Sequence, residues 1–156
     1  MKGYEDLITV LNSILADELN AINQYLVHSE MCENWGYAKL YLAVLGQAMD
    51  EIHHSDWLIE RNNFIESAPK VSKLIPVTTL KSIAEIIAED FDVNLKAVNS
   101  YNNTIKLANE IYDQVTDELL AIIAKTDEDY EVWNQIQSSQ LKQINKENYM
   151  MNQALN

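Results

Sequence analysis

The sequence is poor in residues that interrupt helices or cross-link the chain. Among 156 residues there are three glycines, two prolines and one cysteine. Neither glycine nor proline occurs after Pro76, so turn-forming residues are scarce in the second half, which favours long helices. A single cysteine, Cys32, excludes a disulfide within the chain and agrees with a reducing compartment.

Positive charge and long apolar runs are also scarce. Lysine and arginine number 11 against 24 aspartates and glutamates, a net charge of −13. Nucleic-acid binding needs the opposite, a basic surface, whereas an acidic protein attracts cations. No run approaches the roughly 18 apolar residues of a membrane span, and the acidic N-terminus does not resemble a secretory signal. We therefore expect a cytoplasmic protein without nucleic-acid or membrane partners.

Apolar residues recur at steps of three and four through four long segments, the pattern of helices that bury one face. Gly36 separates the first two segments, whereas no glycine marks the boundary near Tyr112, between the third and the fourth. The predicted helices are Tyr4–Asn34, Tyr37–Glu66, Leu80–Ile111 and Asp113–Ile144, with a short fifth helix from Asn145.

Both prolines fall in one segment, Ser67–Thr79, between the second and third predicted helices. Fully extended, about 13 residues reach roughly 43 Å, and a helix of about 30 residues is roughly 45 Å long. The segment can therefore return along a bundle, which predicts one long crossover. We predict an all-α fold with a single domain, 1–156: a four-helix bundle with a crossover between helices 2 and 3 and a short fifth C-terminal helix.

Polar side chains occupy core-facing positions in the first two predicted helices. Glu18 lies in the apolar stripe of the first helix, and Glu51 and His54 project from one face of the second. A buried carboxylate is costly unless it is paired, protonated or bound to a metal. Two carboxylates and an imidazole suit iron, manganese or zinc, so we predict a metal site in preference to a buried hydrogen-bonded network. The residues expected to support these ligands are Tyr25, Asp50 and Asp56.

The third and fourth helices carry poorer ligands at the same spacing, at Asn94, Asp127 and Tyr130. A bundle in which both helix pairs carry metal ligands, facing each other across the core, would form a two-metal site. Asn94 offers a neutral amide oxygen, and Asp127 is one methylene shorter than glutamate. Tyr130 has an ordinary pKa near 10, which makes it a poor ligand for ferrous iron and favours a role in core packing. We therefore expect a second ion to be held weakly.

Four stretches resemble bacterioferritins: 21–25 (AINQY), 34–36 (NWG), 50–56 (DEIHHSD) and 59–61 (IER). The resemblance covers essentially the whole chain and is most specific in the first two helices. It implies a ferritin-like four-helix bundle that assembles from dimers into a hollow shell of 24 subunits, oxidises ferrous iron at a di-iron ferroxidase centre and stores ferric mineral. The six ligand positions of the family fall on Glu18, Glu51, His54, Asn94, Asp127 and Tyr130.

Three of these positions depart from the family pattern, because Asn94, Asp127 and Tyr130 replace Glu, Glu and His. The methionine that binds haem in the family falls on Ile52, which cannot ligate iron, so haem is not expected. Met49, one turn away, is interpreted as a packing residue. The resemblance therefore implies a degenerate ferroxidase centre with one iron site and a weak or empty second position.

Three functions remain open on the sequence alone. The first is an iron-storage cage subunit with a partial site and weak or no ferroxidase activity. The second is an active but altered di-iron ferroxidase that uses Asp127 and Tyr130. The third is a structural cage subunit without its own metal function that co-assembles with an active paralogous bacterioferritin. No catalytic residue is assigned, and whether the chain is an enzyme is left open.

Overall fold

The computed structural model describes residues 2–65, 75–77 and 80–154. Within these ranges the chain forms five helices and no strand, as the all-α prediction requires. Each helix end lies within three residues of its predicted position, while Glu66 and most of the crossover segment Ser67–Thr79 lie outside the described residues. The helices are α1 Lys2–Asn34, α2 Ala38–Phe64, α3 Ile83–Glu110, α4 Gln114–Gln143 and α5 Lys146–Ala154.

A tight turn at Gly36 reverses the chain between α1 and α2. Gly36 has a φ of +87°, in the left-handed region that glycine adopts without a Cβ clash. Its N–H donates to the carbonyl of Glu33 (2.9 Å), and the N–H of Tyr37 donates to the carbonyl of Cys32 (2.9 Å). These two bonds form a Schellman motif, and α2 therefore returns antiparallel along α1.

The same motif ends α3, but without glycine. Tyr112 has a φ of +59°. Its N–H donates to the carbonyl of Asn109 (3.1 Å), and the N–H of Asp113 donates to the carbonyl of Ala108 (2.9 Å). Asp113 then caps α4 by accepting from the N–H of Thr116 (3.1 Å). The sequence marks this boundary weakly because a tyrosine stands where a glycine is usual.

The helix directions require a long return between α2 and α3. Tyr25 and His28 of α1 bond Asn94 and Asp90 of α3 in reverse order, so α1 and α3 are antiparallel. Because α2 is also antiparallel to α1, α2 and α3 run in the same direction. This arrangement agrees with the predicted crossover, of which residues 67–74 and 78–79 are outside the described part.

Apolar clusters occupy both ends of the bundle and leave a polar layer between them. One cluster includes Leu11, Leu58 and Leu120; the other includes Leu40 of α2 and Tyr149 of α5, so the short fifth helix covers one end. No helix among the described residues combines the length and apolar character of a membrane span. The polar layer therefore lies deep inside a four-helix bundle.

Candidate metal site

Three buried side chains from α1 and α2 converge between the apolar clusters. Glu18, Glu51 and His54 are 2–3% exposed, and one ligand atom from each lies within 4.8 Å of the other two. Nδ1 of His54 lies 3.0 Å from Oε2 of Glu51 and 3.7 Å from Oε2 of Glu18. The antiparallel pairing of α1 and α2 brings Glu18 opposite the pair on α2, as the sequence predicts.

The protonation of these residues shows that the pocket favours positive charge. Burial tends to lower the pKa of His54, but hydrogen bonds and charges from Glu18 and Glu51 raise it to about 9. Burial raises the pKa of Glu18, and His54 partly opposes that effect. A dication bound here would have to displace the proton on His54, because a ligating imidazole must be neutral.

Asp127 of α4 forms an acidic wall beside the three residues. It is 1% exposed, and neither carboxyl oxygen has a hydrogen-bond partner among the described residues. Burial, followed by the charges of Glu51 and Glu18, raises its pKa to about 11. The raised pKa favours the protonated form of Asp127, and a second cation would have to displace that proton.

The other two predicted ligand positions form hydrogen bonds within the protein. The hydroxyl of Tyr25 donates to Oδ1 of Asn94 (3.0 Å), and the hydroxyl of Tyr130 donates to Oδ2 of Asp50. Burial, followed by the bond to Asp50, raises the pKa of Tyr130 above its ordinary value, which disfavours the phenolate. Tyr25 and Asp50 thus adjoin the predicted ligand positions, whereas Asp56 lies exposed on α2.

A cavity of about 330 Å³ reaches the polar layer between α1 and α3. Each molecule of liquid water occupies about 30 Å³. The cavity is therefore large enough for an ion with several small ligands. Exposed and partly exposed residues of α1 and α3, such as Asp17 and Lys96, lie towards its mouth. Its buried lining residues are Glu18, Ala21, Tyr25, Glu51, Asn94 and Asp127.

A further buried polar cluster was not identified as a unit from the sequence. Nδ1 of His28 lies 2.7 Å from Oδ1 of Asp90, and Nε2 of Gln24 donates to the same oxygen (2.9 Å). His28 follows Tyr25 by three residues on the inward face of α1, so helical periodicity contained a signal for it. The cluster joins α1 to α3 beside the Tyr25–Asn94 hydrogen bond.

The position that would hold haem in the resembling family does not fit that role. Ile52 is 41% exposed on α2, and its side chain has no electron pair to give to haem iron. Met49, 48% exposed on the same helix, is likewise a surface side chain in this subunit. No step in the function proposed below depends on haem.

Comparison with known proteins agrees with the sequence resemblance over nearly the full chain. The family model of the ferritin-like domain matches residues 8–146. A bacterial ferritin of Synechocystis sp. is 32% identical over 154 residues, which are 98% of this chain and 99% of that protein. A bacterial ferritin of Paramagnetospirillum magnetotacticum is 31% identical over 156 residues (99% and 95%). A bacterioferritin of Brucella melitensis is 29% identical over 149 residues (96% and 92%).

Proposed function

Because the chain belongs to the ferritin-like family and is of the bacterioferritin type, we propose that it is an iron-storage subunit that binds one iron ion at Glu18, Glu51 and His54. The observation that carries this proposal is the convergence of three buried ligands from α1 and α2. Two carboxylates and one imidazole suit ferrous iron. The chain's net charge of −13 favours the approach of cations.

A second iron ion is held weakly in this proposal, because α3 and α4 do not repeat the ligand set. Oδ1 of Asn94 already accepts a hydrogen bond from Tyr25, the hydroxyl of Tyr130 donates to Asp50, and the raised pKa of Asp127 favours its protonated form. Oxidation that needs two adjacent irons is therefore slow or absent. Ferrous iron entering a shell of such subunits would be oxidised by dissolved oxygen at the growing ferric mineral, with little oxidation at the subunit's own site.

Anaerobic titration with Fe²⁺ tests the binding site directly. We expect saturation at one ion per subunit, and Glu51→Gln should weaken binding by at least about tenfold, since even loss of a group that only orients a ligand has effects of that size. Glu60→Gln, an exposed glutamate on the same helix, is the matched control and should bind like the wild type. Unchanged binding in Glu51→Gln would reject the assigned site.

Oxidation in air tests the weak second position. The wild-type protein should oxidise added Fe²⁺ slowly and without a rapid phase of two irons per subunit. The triple variant Asn94→Glu, Asp127→Glu and Tyr130→His supplies the missing carboxylates and imidazole, and it should bind a second ion and oxidise iron faster. Rapid, saturable oxidation of two irons per wild-type subunit would contradict the proposal.

An altered di-iron ferroxidase is the second candidate, and the position of Asp127 favours it. Its carboxyl group shares the cavity with Glu18 and Glu51, so in this candidate it would help to hold the second ion once deprotonated. Tyr130 would then bind ferric iron as phenolate and produce a visible charge-transfer absorption. A coloured ferric form that loses its colour in Tyr130→Phe supports this candidate, and a colourless form counts against it.

We further propose that the subunit assembles from dimers into a 24-subunit shell. Exposed apolar side chains on the first two helices support such contacts. Twenty-four chains of 17.9 kDa give roughly 430 kDa, which sedimentation separates clearly from a monomer. The exposed apolar residues on α1 and α2 include Leu26, Val27, Leu42, Met49 and Ile52.

Co-assembly with a paralogous bacterioferritin subunit remains the third candidate. In that case the shell would contain this chain without a metal function of its own. Iron content after expression with added iron, compared between wild type and His54→Ala, separates the candidates. Equal iron content in the two proteins would favour the purely structural role, and a loss in His54→Ala would favour iron binding.

A further inference from the structure

We infer that the Asn94 amide, together with the adjoining cavity, forms a subsite for a small ligand that bonds to the ion held by Glu18, Glu51 and His54. The ligand class is a monodentate oxygen or nitrogen donor that gives one electron pair to the ion and accepts a hydrogen bond from Asn94. This inference rests on the proposed function, because it needs an ion at the three-residue site.

The orientation of Asn94 is determined by its neighbour on α1. The hydroxyl of Tyr25 donates to Oδ1 of Asn94 (3.0 Å). The other end of the amide, Nδ2, is therefore the free donor. Asn94 is 1% exposed, and its Nδ2 has no hydrogen-bond partner among the described residues. A buried donor without a partner costs about 1–3 kcal/mol, so this atom favours an acceptor inside the cavity.

Asn94 lines the same cavity as two of the three predicted ligands of the ion. Asn94, Tyr25, Glu18 and Glu51 all line the same volume of about 330 Å³, which exceeds the needs of one ion. Oε2 of Glu18 is also buried and has no hydrogen-bond partner in the described ranges. The lining of this one small space thus includes predicted ligands of the ion and a residue with an unpartnered hydrogen-bond donor.

The side-chain chemistry at position 94 decides what this space can bind. A glutamate, which the resembling family has here, is an acceptor when ionised and attracts a second cation. An amide whose oxygen is already bonded presents N–H groups, which repel cations and stabilise an electron-rich ligand. The replacement converts a cation position into a position for a ligand of the neighbouring ion.

Azide titration of the Co²⁺-loaded protein tests this inference, with visible absorption reporting Co²⁺ binding and azide binding separately. The double variant Tyr25→Phe, Asn94→Leu removes the donor without leaving the tyrosine hydroxyl unpartnered. We expect azide to bind at least about tenfold more weakly in this variant, the loss expected for a hydrogen bond to a charged group, and the Co²⁺ absorption shows whether the ion itself is still bound. Asn99→Leu, an exposed asparagine on the same helix, is the control and should keep wild-type azide affinity.

A second variant provides the same comparison if the double variant does not fold. Asn94→Asp preserves side-chain size and replaces the amide donor with a carboxylate, so it should also weaken azide binding to the Co²⁺ form. Equal azide affinity in the wild type and in a folded variant would overturn the inference while leaving the ion site intact. Failure of the wild type to bind Co²⁺ would overturn the proposed function and this inference with it. Absence of any azide effect on the wild-type Co²⁺ spectrum would overturn the inference alone.

Discussion

Arg61, near the end of α2, joins that helix to the start of α4. Its Nη2 donates to Oδ1 of Asp113 (2.6 Å), and its Nε donates to the hydroxyl oxygen of Thr116 (2.8 Å). The Thr116 hydroxyl in turn donates to Oδ2 of Asp113 (2.7 Å). Burial tends to raise the pKa of Asp113, but these partners outweigh it and lower the pKa below its ordinary value. The ionised Asp113 therefore stabilises the folded protein.

We predict that Asp113→Asn lowers the free energy of unfolding at pH 7 by about 1–3 kcal/mol, because it weakens a helix cap and a charged hydrogen bond. The folded-state pKa lies below the unfolded value near 3.9. The stabilisation is therefore fully present above about pH 4 and is lost as the pH falls through the folded-state pKa. Denaturant unfolding of wild type and variant at several pH values measures this difference. Glu118→Gln, an exposed residue on α4, should change stability little, and a pH-independent effect of Asp113→Asn would contradict the argument.

The sequence was sufficient to bring Glu18, Glu51 and His54 to one layer, because helical spacing determines which residues share a face. It could not determine side-chain direction within that layer. Two hydrogen bonds in this layer, from Tyr130 to Asp50 and from Tyr25 to Asn94, each join residues on different helices. Both bonds therefore depend on packing that no single helix specifies. The role of these residues as metal ligands stays a prediction.

Helix ends show how far local sequence predicts an element. The bounds of α1 and α2 follow from strong apolar periodicity and from Gly36, whose left-handed backbone ends a helix without strain. The end of α3 uses the same hydrogen bonds with Tyr112, which is 94% exposed and gains nothing from packing. The position of this turn was therefore predicted from periodicity alone, since the usual glycine is missing.

We predict that Tyr112→Gly raises the free energy of unfolding by about 0.5–1 kcal/mol. A side chain in the left-handed region costs roughly 1–2 kcal/mol, part of which is offset by the greater freedom of glycine in the unfolded chain. Tyr112→Ala is the control and should have little effect, because alanine keeps the Cβ. Thermal and denaturant unfolding measure both changes, and equal stability of the glycine and alanine variants would contradict the strain argument.

We predict the reverse effect at the other turn. Gly36→Ala should lower the free energy of unfolding by about 1 kcal/mol, because alanine is strained at a φ of +87°. An added Cβ would meet no atom within 4 Å, so the loss reports backbone strain and not a steric clash. Gly46→Ala, in the interior of α2 and also without a contact to an added Cβ, should be neutral or stabilising. A destabilised Gly46→Ala with an unaffected Gly36→Ala would contradict this prediction.

At the scale of the whole molecule, the subunit presents apolar side chains on the outside of α1 and α2. Leu42 is 64% exposed, and Leu26 and Val27 are 38% and 41% exposed. Contiguous apolar surface on a small protein is typical of a contact between subunits. The proposed shell rests on family membership and not on periodicity, because the pattern within one helix does not specify a symmetry operator.

We predict that Leu42→Glu prevents or weakens shell assembly while leaving the bundle folded, because it places a charge in an apolar contact between subunits. Sedimentation velocity should show a shift from a particle of several hundred kilodaltons towards much smaller species, with an unchanged helical circular dichroism spectrum. Glu33→Gln, an exposed change at the end of α1, should assemble like the wild type. A full-sized shell from Leu42→Glu would exclude this face from the contact.

Anomalous X-ray diffraction from crystals soaked anaerobically in ferrous salt tests the central claim most directly, because it counts ions at each position in the subunit. We predict one strong iron peak between Glu18, Glu51 and His54, with little or no density beside Asn94 and Tyr130. Two well-occupied peaks bridged by Glu51 and Asp127 within a single subunit would contradict the account, as would a structure in which the three predicted ligands point away from one another.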